Sequence, residues 1–340
     1  MSARDNIPTD WHWPSFQPSI CGMNDDRERL GLPQHFVSLR FDEKLPQVYS
    51  RLRSNSLEQL LEVIQSKKYT LVERLVAGNL LAVVGDPRIS EFSHEMVEIP
   101  SGVALIGLDF KDVDKVLDEF DGLGLQAKWI EKECPEHSVQ IRAFKMAKYL
   151  VTNSQYKAFL LDTQHPEIPS GWEFRRFPLE RSNHPVYTVS PESADAYAQW
   201  IKSKTGIPYR LPTEAEWEWA AMGPKSFEFP WGNTFDANLA NTAETGLLTS
   251  STVGAFIGGE SPFGLADMAG NVEEYVSNNY APYPNGKVVT DHLVELNGDY
   301  RVARGGSFAR FRDLARTKRR HGHNPKSATY AMGFRLACDS

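Results

Sequence analysis

The spacing of apolar residues changes character along this chain. Leu57, Leu60, Leu61 and Ile64 recur at i, i+3, i+4 and i+7, which puts them on one face of a helix. Ser56 stands before that run, and Gln59 three positions later supplies the partner of a capping box. Leu71, Leu75, Val76 and Leu80 predict a second helix, closed by the turn Gly85-Asp86-Pro87-Arg88. Upstream of residue 44 no period survives, because Pro8, Pro14, Pro18 and Pro33 interrupt it. Trp11, Trp13 and Phe16 in that stretch predict an arm that packs on another surface. Residues 1–90 thus read as an arm and a small helical appendage, which either covers a main domain or docks a partner or substrate.

From His94 onward the elements shorten. Residues 95–107 predict two strands around Pro100-Ser101-Gly102, and residues 110–119 a short helical insertion. Residues 138–147 alternate apolar and polar, as a half-buried strand does. Three helices follow. The first opens at Thr152 or Asn153, the second has Pro191 in its first turn, and the third has Thr213 and Glu216 as a capping box. Beyond Gly223 the chain reads as loop, with strands expected only at residues 300–304 and 332–337. The chain from His94 onward therefore predicts a loop-rich domain with few regular elements. So much ordered loop needs bound metal ions or a dense aromatic core, and 8 Trp, 12 Tyr and 18 Phe make the second available.

Composition narrows the class. Of 340 residues, 41% are apolar and 24% charged, the balance of a soluble globular protein. A net charge of −7 gives no reason to expect nucleic acid as a partner. Cys21, Cys134 and Cys338 are too few and too far apart for a disulfide framework, and they offer no CxxC pair for zinc. No apolar run suits a membrane span, and the first residues lack a signal-peptide core. A cytoplasmic protein without a membrane partner is the expectation.

The segments around Pro100-Ser101-Gly102, Val151-Thr152-Asn153, His184-Pro185-Val186, Tyr209-Arg210-Leu211-Pro212-Thr213-Glu214, Pro230-Trp231-Gly232-Asn233, Gly270-Asn271-Val272-Glu273, Arg304-Gly305-Gly306-Ser307-Phe308 and Gly333-Phe334-Arg335-Leu336 occur in a fixed order. In that order they resemble the formylglycine-generating enzyme family, the sulfatase-modifying factor domain, over about residues 94–340. The resemblance implies an irregular, loop-rich α+β fold related to C-type lectins. It does not settle function, because the family holds copper oxidases, iron enzymes that join sulfur to histidine derivatives, tailoring enzymes and non-catalytic display proteins. The copper oxidases bind Cu(I) through two cysteines that follow the Arg-Gly-Gly-Ser motif closely. Those positions fall at or near Arg310 and Ala315, and residues 304–332 contain no Cys. The iron enzymes use an HxxxH pair on a preceding helical domain, whereas only His12 and His35 precede His94 here. The expectation is a non-standard member, a metal-dependent oxidoreductase that tailors an anionic or amino-acid-like small molecule or peptide. A non-catalytic lectin-like binding module and an iron-dependent sulfoxide-synthase-like enzyme are the alternatives.

The remaining chemistry concentrates near residues 304–325. His321 and His323 share one face if that run is extended, about 6–7 Å apart. With a carboxylate from Glu273, Glu274 or Asp313 they would suit iron or copper, and otherwise they hydrogen-bond in a basic loop. They are the catalytic candidates. Arg304, Arg310, Arg312 and Arg316, with Ser307, are the candidates for gripping an anionic substrate. Arg210 and Arg335 read as buried ion-pair partners, and Trp217, Trp219 and Trp231 as core. The turn from Asp267 resembles the family's structural calcium site, with Asp267, Gly270, Val272 and Glu274 as ligand positions. A second calcium site would use Asn241 and Thr242, although Thr245 stands where its Asp is expected.

Overall fold

The computed structural model describes residues 30–32, 37–324 and 330–340. The aromatic arm expected before residue 30, with His12 and Cys21, lies outside the described residues, as do His35 and Pro325.

Three helices come first: α1 (Leu45–Leu52), α2 (Leu57–Ile64) and α3 (Leu71–Val84). Ser56–Gln59 and Thr70–Glu73 are capping boxes, so two exposed backbone N–H groups at each helix start are satisfied locally. Leu60, Val63 and Ile64 pack against Val76, Ala77 and Leu81. The opposite side of α3 is apolar too, because Leu75 seats against Ala255 and Phe256 of the main domain. Arg74 Nε donates to the Ala255 carbonyl at 2.7 Å, and Asn183 Nδ2 to the Gly78 carbonyl at 2.9 Å. Gly78 permits this approach, since a Cβ there would lie 2.0 Å from the Thr252 methyl group. Helix α3 thus packs on Asn183 and residues 252–256 through a fitted face.

The next elements are β1 (Met96–Ile99), β2 (Gly102–Ile106), α4 (Val113–Glu119), α5 (Ala127–Glu131), β3 (His137–Ile141) and β4 (Phe144–Ala147). The strand expected over residues 138–147 is broken at 142–143, because its halves serve different sheets: β3 pairs with β2, and β4 with β1. Helices α6 (Asn153–Thr163), α7 (Pro191–Thr205) and α8 (Glu214–Met222) start at Thr152, Ser190 and Thr213. Tyr156, Phe159, Trp172, Tyr197 and Trp200 form the aromatic core that the loop content required.

The remaining elements are β5 (Glu273–Asn279), α9 (His292–Asn297), β6 (Arg301–Arg304), β7 (His321–Gly322), β8 (Met332–Gly333) and β9 (Ala337–Asp339). Strand β5 lies in a stretch that reads as loop. Its first four residues are all buried, so the alternation that marks a strand is missing. The segment 332–337 splits in two: β8 runs parallel to β5, while β9 pairs with β4. The sheet order β7–β6–β5–β8 positions the candidate site.

Candidate functional site

Register decides which side chains meet. His321 on β7 is opposite Ala303 on β6, and Ala303 is opposite Tyr275 on β5. Glu273, two residues before Tyr275, shares that face. The small Ala303 leaves room across the middle strand, and His321 Nδ1 lies 2.6 Å from Glu273 Oε2. Glu274 and Arg304, paired one residue along, must face the other side. Arg304 is therefore carried away from His321 by strand geometry alone.

His321 opens onto a cleft of about 680 Å³, counting space open to solvent. One wall comes from the segment after β6, with Arg310, Phe311, Asp313 and Arg319. Gly305 and Gly306, at φ 92° and 68°, turn the chain into that segment. A Cβ on Gly306 would meet the Leu314 and Ala315 backbone at 2.9 Å. The facing wall brings Trp129 and Lys132 from α5 and its end, and Asp291 and His292 from the start of α9.

The cleft holds opposed charges in a dry setting. Lys132 Nζ sits 2.6 Å from Asp291 Oδ2 and 3.2 Å from the Tyr300 hydroxyl. Burial draws the Lys132 ammonium down to about 8, against the pull of Asp291. Burial also lowers His292 to about 4, and the nearby His321 adds to the effect. The Asp313 carboxyl is pushed up to about 6 by burial, with Arg319 as the leading opposing charge. His321 is lowered by burial too, opposed by Glu273. In the tautomer that donates Nδ1–H to Glu273, Nε2 is the ring nitrogen that can accept a proton.

Of the predicted site residues, the cleft gathers His321, Arg310 and the candidate carboxylate Asp313. His323 is not part of its lining, and its ring lies tilted against that of Tyr330, with centroids 4.0 Å apart. Arg304 is buried between Glu214, at 2.8 Å, and Glu218, and also donates to the Thr317 carbonyl. Arg312 pairs with Glu244, and Arg316 with Glu133 and Glu228. Ser307 is buried, with its hydroxyl unpartnered and outside the cleft lining. These arginines turn inward because buried carboxylates await them, and desolvating such acids without a counter-charge is costly. Arg335 pairs with Glu274 in the interior, as its motif predicts, whereas Arg210 pairs with Glu216 and Asp339 with its side chain 34% exposed, so it is not the buried partner expected. Trp129, Lys132, Asp291 and His292 were not anticipated. Only the capping position of Asp291 before an apolar run gave any sequence signal.

Two metal expectations meet these residues differently. Among the described residues, no group of three His, Cys, Asp or Glu side chains could hold an ion. His321 is committed to Glu273, and His323 points its ring at Tyr330. Ala315 is fully buried, and Arg310 stands at the other family thiolate position. Neither iron nor copper fits this donor set. Calcium, which also accepts backbone carbonyls, fits the turn at Asp267 better. Burial pushes Asp267 up to about 6, against the Gly254 N–H and the charge of Arg335, while Glu274 adds like charge. Its Oδ2 accepts from Gly254 N at 2.7 Å, leaving Oδ1 for an ion. Glu274 is more heavily engaged, by Arg335 at 2.5 and 2.6 Å and by Trp217 at 2.9 Å, but a carboxylate has about four acceptor positions. The second calcium set does not fit. Asn241 Oδ1 lacks a partner, but the Thr242 hydroxyl donates to Glu244, and Glu244 is neutralised by Arg312.

The sequence model of the sulfatase-modifying factor enzyme 1-like domain matches residues 85–340. Hercynine oxygenase of Mycolicibacterium thermoresistibile is 30% identical over 247 residues, 62% of this chain and 54% of that protein. Serine/threonine-protein kinase Pkn1 of Chlamydia trachomatis is 33% identical over 225 residues, 61% of this chain and 35% of that protein. The structure of PvdO from Pseudomonas aeruginosa superposes with a TM-score of 0.56 and 25% identity, covering 74% of this chain and 96% of that one. The chain spans about half the length of the first relative and about a third of the second. No helix among the described residues is long and apolar enough to cross a membrane.

Proposed function

The chain belongs to the sulfatase-modifying factor enzyme 1-like domain family, and we propose that it is an oxidoreductase of that family but not a formylglycine generator. Its working site is the cleft at His321, and its substrate is a small anionic or amino-acid-like molecule. The observation that carries this reading is the 2.6 Å contact between His321 and Glu273 at the cleft wall. A carboxylate on Nδ1 orients the ring, presents Nε2 to the cleft and stabilises the imidazolium formed once a proton is taken. The similarity to a hercynine oxygenase supports oxidation over other chemistry.

Arg310, whose Nε lies 3.5 Å from Glu273 Oε1, and Arg319 supply positive charge where an anionic group would sit. His321 then takes one proton from the substrate, while dioxygen from solution takes the electron pair and the second proton and leaves as hydrogen peroxide once the imidazolium returns its proton. Burial keeps the imidazole neutral near pH 7, the state a base requires.

The test is incubation of the purified protein with pooled carboxylate and amino-acid metabolites, read by oxygen uptake and mass spectrometry. Loss of a hydrogen pair or gain of oxygen in one compound, abolished in a folded His321→Gln variant, is the expected result. Equal turnover by that variant would overturn the assignment. A compound that stabilises the protein yet stays unchanged would favour a binding module, a reading supported by the lack of a metal-holding trio among the described residues.

A further inference from the structure

We infer that the cleft reads the head group of a free α-amino acid, with Asp313 receiving the ammonium and Arg319, beside Arg310, receiving the carboxylate. This deepens the proposed function and rests on the cleft being the working site. It starts from two opposite charges that face the same space without satisfying each other. Arg319 Nε lies 3.9 Å from Asp313 Oδ2 and 3.9 Å from Glu133 Oε1, beyond hydrogen-bond reach. It is buried and has no acceptor. The hydrogen bonds of this guanidinium run from Nη1 to the carbonyls of Trp129 and Arg320, which hold it off Asp313. Asp313 is only 4% exposed, and at 3.9 Å it stands outside hydrogen-bond reach of the Arg319 Nε.

The neighbouring Lys132–Asp291 pair makes the contrast. It is closed at 2.6 Å and asks nothing of a ligand. A guanidinium and a carboxylate left apart can each take a new partner, because charge-assisted hydrogen bonds are the stronger kind. A simple anion suits Arg310 and Arg319 but is repelled by Asp313. A simple amine suits Asp313 but is repelled by the two arginines. A zwitterion meets both demands, and the rest of the molecule can lie against Trp129, Phe311 and Leu314.

The test measures thermal shift and calorimetric binding with free L-amino acids, and with the Nα-acetyl and α-amide forms of each that binds. Wild type and Asp313→Asn are compared, the latter a substitution that removes a buried charge and so should fold. At least one free amino acid should bind the wild type, with its acetyl and amide forms weaker by at least about tenfold. Asp313→Asn should erase the difference between the free and acetylated forms. Binding of no free amino acid, or equal binding of free and amide forms, overturns the inference. Equal binding of free and acetylated forms to the wild type also overturns it, while leaving an anion-binding oxidoreductase intact.

Discussion

Replacing Asp313 by Asn should make the protein more stable, and the structure sets the size of the gain. In the unfolded chain this carboxyl titrates near 3.8, and in the folded protein burial raises it to about 6. Between those values the folded state binds the proton more tightly than the unfolded state. Stability therefore falls as pH rises through that window, and above it the full penalty remains. The difference corresponds to about 3 kcal/mol at pH 8. Asn keeps the shape and cannot ionise, so the variant should gain about 2–3 kcal/mol at pH 8 and about half of that at pH 5. For a chain of this length such a gain raises the melting temperature by roughly 5 °C. Urea unfolding of both proteins at the two pH values, followed by tryptophan fluorescence and circular dichroism, measures it. A variant no more stable than wild type at pH 8 would show that the carboxylate is ionised and well satisfied. An acid kept at such a cost to the fold is what a ligand-reading position looks like.

Other parts of the account have their own checks. Arg335→Met should cost about 3–5 kcal/mol in urea unfolding, because it strands the buried Glu274. Adding Glu274→Leu should recover much of that loss, and a double variant worse than the sum of the singles would contradict the pairing. A calcium chelator should lower the melting temperature, with a bound ion worth about 2.7 kcal/mol at a hundredfold excess over Kd. Asp267→Ala should abolish that response, and a wild type indifferent to chelation would remove the structural ion. A Cys-X-Pro-X-Arg peptide incubated with protein and copper should keep its thiol mass, and an aldehyde product would refute the reading of Arg310 and Ala315.

Local signals were legible in the sequence and non-local pairing was not. Ser56 and Thr213 announce their helices because a cap and its partner lie three residues apart. The basic run from Arg304 announces a charge concentration, but which arginines serve the cleft depends on distant acids. Arg304 is claimed by Glu214 and Glu218, and Arg316 by Glu133, 183 residues away along the chain. The spacing of His321 and His323 suggested a shared task, whereas Tyr330 takes the second ring. Lys132 and Asp291 lie 159 residues apart, so no pattern could join them. Strand β5 was hidden by burial on both faces, and with it the side of the sheet on which Glu273 would emerge.

The central claim is that His321 is neutral at working pH, held at Nδ1 by Glu273 and open at Nε2 toward the cleft. Nitrogen-15 NMR of the histidine side chains reads that state directly, with His321→Gln assigning the signal. The account predicts an imidazole at pH 7 that carries its proton on Nδ1, and a disturbed tautomer balance in Glu273→Gln. An imidazolium at pH 7, or a proton resident on Nε2 in the wild type, would contradict it.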